Sequence, residues 1–199
     1  MKTTTYEEFQ AELRATGGYK TKDDHKAKKR AKKSWWTTLR YSWGVISVFP
    51  KCGIYEPLGK LTQQFWGKLC FKSVETAEAL GMSLTVEGFE NLRDLKESAV
   101  VLSNHMSTTE TIVLPPILLA SRPISYVAKA SLAHLPCLEK AAAHMGMVPI
   151  GRVSPREDLV NMLKAGSEKL QGGSNFLIFP QGTRCEVFSR KKYSSIGAK

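Results

Sequence analysis

No uninterrupted apolar run in the 199 residues approaches the ~18–20 that a helix needs to cross a bilayer, which excludes an ordinary polytopic membrane protein. Cysteine is scarce: Cys52, Cys70, Cys137 and Cys185 are scattered without a CxxC pair. A disulfide scaffold or a zinc site therefore fits poorly, and no metal is expected. The opening residues are too polar for a secretory leader, so a reducing cytoplasmic setting is expected. Acidic residues are also in short supply, 18 against 29 Lys and Arg, leaving a formal net charge of +11. With 42% hydrophobic and 24% charged residues there is enough apolar material for a sizeable core, which argues against wholesale disorder.

The excess charge is concentrated. Between positions 20 and 40 nine basic residues, among them Lys28, Lys29, Arg30, Lys32 and Lys33, face two aspartates, a local excess of seven. Trp35 and Trp36 follow at once, then Leu39, Tyr41, Trp43, Val45 and Ile46. Cations beside indole rings suit an anionic membrane surface, where Trp sits between the wet and apolar layers. They also suit nucleic acid, where cations neutralise phosphates and rings stack on bases. A solvated helix or a basic tail is the plain alternative, and charge alone does not choose.

Strand and helix signals alternate through the rest. Residues 61–80 read as a helix ending at Gly81, 83–87 as a short strand, and 99–102 as a continuous apolar strand of buried type. A helix is expected over 112–120, bent or broken by Pro115 and Pro116. Residues 124–128 and 147–150 read as strands, with an interrupted helical stretch at 131–145 between them. Ser154, Pro155 and Glu157 form a helix start with a capping box, and Gly172 and Gly173 stop that helix. A strand over 175–179 completes the series. The pattern predicts an α/β fold with a largely parallel sheet, with chemistry in the loops at the strand ends.

Two of those ends are unusual. After 100–102 come Asn104, His105, Met106, Ser107, Thr108, Thr109 and Glu110. Five residues span about 500° on a helix, so His105 and Glu110 share no helical face. They meet if His105 sits on the turn and Glu110 in the first helical turn, which is the outline of a general-base pair. Ser107 to Glu110 is equally an S-x-x-E capping box, in which Glu110 only closes the helix. Near the other end, Phe179, Pro180, Gln181, Gly182, Thr183 and Arg184 place a turn with exposed amides before a guanidinium, a combination suited to phosphate. Gly151 and Arg152 repeat the idea after 147–150.

Together and in this order the blocks resemble the glycerolipid acyltransferase family, which includes the lysophosphatidic acid acyltransferases. Residues 104–110 look like its NHxSxxD/E signature, 147–152 like its second block and 179–184 like FPEGTR, its third; residues 126–132 with Leu135 and Pro136 look like the connecting segment. The resemblance covers roughly 85–199. It implies a glycerol-phosphate acyltransferase-like fold and transfer of a fatty acyl group from acyl-CoA or acyl-carrier protein to a hydroxyl of lysophosphatidic acid or a related lysolipid, with no cofactor besides the donor.

In that reading His105 is the general base and Glu110 its orienting carboxylate, with Asn104 and Ser107 supporting the motif. Lys129, Gly151, Arg152, Gln181, Gly182, Thr183 and Arg184 would bind the substrate, and amides after His105 would stabilise the oxyanion. Gln181 stands where the family usually has Glu. The family also usually continues through a further apolar strand, so part of the C-terminal fold is expected to be missing here. The expected division is a membrane-surface segment at 1–60, with Lys28, Lys29, Arg30, Lys32, Lys33, Trp35 and Trp36 in contact, and an acyltransferase domain at 61–199. The protein is expected to sit peripherally on the cytoplasmic face of a membrane, with no nucleic acid partner. The competing class is a non-catalytic membrane-surface or nucleic-acid-binding protein.

Overall fold

The structure, a computed structural model, describes residues 4–22, 34–135, 138–151, 154–181 and 184. Its first helix, α1 (Tyr6–Thr16), begins with a reciprocal cap, in which the Glu8 amide donates to Thr5 Oγ1 at 3.2 Å and the Thr5 amide to Glu8 Oε2 at 2.9 Å. It ends at Gly17, whose φ of 76° a side chain would strain. Phe9 and Leu13, one helical turn apart, are fully buried with Phe71, Val74, Ile117 and Ala120. Strand β1 (Tyr19–Lys20) then pairs antiparallel with β2 (Thr85–Val86), away from the main sheet. The Tyr19 and Thr21 hydroxyls donate to Oε1 of the buried Glu78 at 2.8 and 2.7 Å, which satisfies a polar group that would be costly to bury alone. Among the described residues, then, no packing boundary falls at position 60. Tyr6, Phe9, Leu13 and Tyr19 are part of the core, and only a portion of 1–60 is left to serve as a surface segment.

Helices α2 (Trp35–Ile46) and α3 (Val48–Tyr55) join at Ser47 and lead to α4 (Gln63–Ala79), capped by Thr62. At 100° per residue, positions 35, 36, 39, 43 and 46 of α2 fall within about 100° of arc. Trp35, Trp36, Leu39, Trp43 and Ile46 are all exposed there, while Val45 on the opposite side is buried where α2 packs on α4. Gln63 anchors the start of α4 to the sheet through both main-chain groups of Ile124, at 2.8 and 2.9 Å.

The sheet has the order β3–β6–β4–β5 and is parallel throughout, with strands β3 (Val100–Leu102), β4 (Ile124–Lys129), β5 (Met147–Ile150) and β6 (Asn175–Ile178). The short helix α5 (Glu90–Arg93) precedes β3, and between the sheet strands run α6 (Thr109–Leu118), α7 (Ala130–Ala133), α8 (Ala141–His144) and α9 (Pro155–Gln171). Successive strand residues point to opposite faces. Leu177 joins the core formed by Trp66, Cys70, Ile112 and Leu118 of α4 and α6, whereas its neighbour Phe176 meets Gly166 of α9. Helices thus cover both faces. Gly146, at φ 76°, lets β5 enter beside Ile124, where a side chain would collide with the Ile124 carbonyl.

Three expectations change. Among the described residues strand β3 is an edge strand, with Val100 49% and Leu102 67% exposed, because a short apolar run looks the same for a central and an edge position. Helix α6 continues through Pro115 and Pro116, since its second half is buried against α4 and packing outweighs the lost hydrogen bonds. At α9 the Ser154 hydroxyl accepts the Glu157 amide at 3.5 Å, which is one half of the expected box.

Candidate active site

Parallel strands deliver the ends of β3, β4, β5 and β6 to one edge of the sheet, and the register decides which ends touch. Leu102 pairs with Ile178, and the Ser103 amide extends the ladder to the Ile178 carbonyl at 3.0 Å. The chain leaving β3 therefore runs beside the chain leaving β6.

His105 lies on the turn between β3 and α6, and Glu110 in the first turn of α6. His105 Nδ1 is 3.1 Å from Glu110 Oε1, with both side chains less than one-fifth exposed. The same carboxylate accepts the Met106 amide, the Ser107 amide at 2.6 Å and the Ser107 hydroxyl at 2.7 Å. Glu110 thus closes the turn and holds the imidazole at once; of the expected capping box only the half from the Ser107 amide to Glu110 forms, with Thr108 at the helix cap. Burial works against charge on Glu110, but the bonds from the Ser107 hydroxyl and amide and from His105 outweigh it and hold the carboxyl below its ordinary value. An ionised acceptor at Nδ1 places the ring proton there and leaves Nε2 as the basic nitrogen.

The far strand contributes two contacts that the sequence did not announce. The Phe179 ring lies against the His105 ring, with centroids 4.7 Å apart and planes at 35°. The Gln181 side-chain carbonyl accepts the backbone N–H of His105. Gln181, expected to bind the substrate, uses that carbonyl to hold the His105 turn. Arg184 donates from Nη1 to Thr108 Oγ1 at 2.7 Å, which brings the third-block cation to the start of α6. Tyr41 of α2 reaches the neighbouring Thr109 hydroxyl at 3.4 Å, tying the aromatic helix to the same turn. The Phe179, Gln181 and Arg184 contacts follow from the pairing of β3 with β6, which no local pattern contains.

Other expected residues stand apart. Lys129 is exposed at the end of β4, paired in register with Ile150, and the Gly151 amide donates to Asp158 at 3.2 Å. Neither bonds to His105 or Glu110 among the described residues. Asn104 is exposed, and its carbonyl accepts the Ser103 hydroxyl at 3.1 Å. The amides expected to meet an oxyanion are engaged within the turn, those of Met106 and Ser107 by Glu110 and that of Thr109 by Ser107 Oγ at 2.9 Å. Arg152, Gly182, Thr183, Lys28, Lys29, Arg30, Lys32 and Lys33 lie outside the described residues. Among the described residues no three His, Cys, Asp or Glu side chains are grouped to share a metal ion, and no helix is long and apolar enough to cross a membrane.

A hydroxyl nucleophile could be deprotonated by such a pair, and known proteins narrow the chemistry. A family model described as Acyltransferase matches residues 83–194. The chain is 32% identical over 158 residues to a 1-acyl-sn-glycerol-3-phosphate acyltransferase of Pseudomonas aeruginosa, covering 79% of this chain and 59% of that protein. It is 34% identical over 101 residues to a chloroplastic protein of the same description from Arabidopsis thaliana, covering 51% of this chain and 27% of that one. One from Helicobacter pylori is 33% identical over 105 residues, covering 51% and 42%. The chain therefore spans less than two-thirds of the length of these relatives. No solved structure matches it. The family match covers the sheet, the His105–Glu110 turn and the Arg184 segment together, and on that basis the chain belongs to the acyltransferase family.

Proposed function

We propose that the protein transfers a fatty acyl group from a thioester, acyl-CoA or acyl-carrier protein, to the free hydroxyl of lysophosphatidic acid or a closely related lysolipid. The observation that carries this reading is the 3.1 Å contact between His105 Nδ1 and Glu110, on the turn that also receives Arg184. The names of the relatives support the acceptor class. His105 Nε2 takes the proton of the acceptor hydroxyl as its oxygen attacks the thioester carbonyl. The C–S bond then breaks, and the imidazolium returns the proton to the leaving sulfur, giving an ester and a free thiol. Glu110 stabilises the imidazolium and holds the ring in place. No acyl-enzyme is required, because the acceptor oxygen is itself the nucleophile. Arg184, together with Arg152 and Lys129, supplies cationic donors for the acceptor phosphate.

The lipid acceptor also calls for contact with a bilayer. The outward aromatic stripe of α2, following the basic run, suits an anionic cytoplasmic membrane face, with the rings at the interface and the cations on headgroups. The decisive experiment measures free thiol release from acyl-CoA by the purified protein, with lysophosphatidic acid, other lysolipids and glycerol 3-phosphate as acceptors. Acceptor-dependent release that disappears in His105→Ala is expected. Release undiminished in that variant would end the general-base assignment.

A further inference from the structure

The segment from Ser103 to Thr108 is neither helix nor strand beyond its first hydrogen bond, so its amides have no regular partners and each must find one. Those of Met106 and Ser107 find Glu110, and that of His105 finds the side-chain carbonyl of Gln181, 76 residues further along the chain. His105 is thereby held at three points: Nδ1 by Glu110, the ring face by Phe179, and its main chain by Gln181. The first two restrict ring rotation. The third sets where the ring begins.

We propose that Gln181 is a positioning residue for acyl transfer, one that locks the His105 main chain so that Nε2 meets the acceptor hydroxyl, and whose neutrality leaves Glu110 to set the charge on the imidazole. This rests on the acyltransferase reading of His105. A carboxylate at 181 offers the same acceptor oxygen and adds a negative charge next to the base. Among the described residues, the titratable and charged groups bonded to the turn are Glu110 on α6, Arg184 after β6, held on Thr108, and Tyr41 on α2, held on Thr109. Only the occupant of 181 changes between the variants compared.

The test pairs kinetics with a direct titration. In Gln181→Ala, kcat is expected to fall about 10- to 100-fold, the scale of a misplaced catalytic group, with the KM values of donor and acceptor within about twofold. Gln181→Glu is expected to restore kcat and to move the acid limb of the kcat/KM profile up by about one unit, because a nearby negative charge favours the imidazolium. The His105 ring, followed by NMR in the substrate-free 199-residue protein, should show the same upward shift in Gln181→Glu and none in Gln181→Ala. An acceptor KM raised in Gln181→Ala at unchanged kcat would overturn the proposal in favour of substrate contact. An unmoved His105 midpoint in Gln181→Glu overturns it whatever the activity, including the case where Gln181→Ala does not fold. Absence of turnover in the wild-type protein, with that midpoint shifted, would instead sink the acyltransferase reading alone.

Discussion

Arg184 donates to the Thr108 hydroxyl at 2.7 Å, so a cation carried past the end of β6 rests on the residue that starts the helix bearing Glu110. A phosphate held there would sit next to the imidazole, and phosphate and base would act on one small acceptor.

Arg184→Ala is expected to raise the KM for a phosphorylated acceptor by about tenfold while kcat changes little, as loss of one charge-assisted contact implies. Thr108→Val keeps the guanidinium but removes its bond to the Thr108 hydroxyl, and should raise the same KM by a smaller factor. Steady-state kinetics with lysophosphatidic acid against an unphosphorylated monoacylglycerol checks both. An unchanged KM in Arg184→Ala would make this arginine structural.

Glu110 gives a pH signature. Its folded-state value lies below the ordinary value of 4.5, so its contribution to stability is present above that value and is lost as pH falls through the lowered one. Glu110→Gln should therefore be less stable than wild type at pH 7, with the gap closing as the pH falls below the ordinary carboxylate value and through the lowered one. Urea unfolding at several pH values reads this directly. A gap constant from pH 3 to 7 would show that the carboxylate charge contributes nothing to the turn.

The aromatic stripe of α2 makes its own prediction. Trp43 is 71% and Trp36 63% exposed, so replacing both with Ala should spare the fold. Removing two interfacial indoles should weaken binding to vesicles rich in phosphatidylglycerol at least tenfold, at about 1.5–3 kcal/mol for each large apolar side chain. Vesicle co-sedimentation at two salt concentrations measures the aromatic and electrostatic parts separately. Equal binding by the double variant would remove α2 as the anchor.

Phe9 tests whether the start of the chain belongs to the core. It is fully buried against Phe71, with ring centroids 4.8 Å apart, and against Tyr19 at 4.7 Å. Phe9→Ala should cost about 3–5 kcal/mol of global stability. A loss under 1 kcal/mol in denaturant unfolding would mean that residues 4–22 can leave without disturbing the rest.

Local patterns were legible where local forces decide. Helix α9 was visible from its Ser154 cap, Pro155 and terminal glycines, and α4 from its periodicity and Gly81, because caps and helical periods act within a few residues. The heptapeptide from Asn104 to Glu110 declared both its possible roles. Misreadings came where burial depends on neighbours distant in sequence. The edge position of β3, the continuity of α6 through two prolines and the entry of α1 into the core are all products of packing partners distant in sequence.

By itself the sequence determined the α/β order, the basic and aromatic character of the N-terminal region, and the presence of a histidine and a carboxylate five residues apart. These follow from residue type, period and spacing. Only the tertiary structure decided that β3 lies beside β6. From that one pairing follow the Phe179 ring on His105, the Gln181 carbonyl on its amide and Arg184 on Thr108. The reason is physical: parallel strands join through long crossovers, so their register is set by burial on both faces of the sheet and leaves no mark at the residues it brings together.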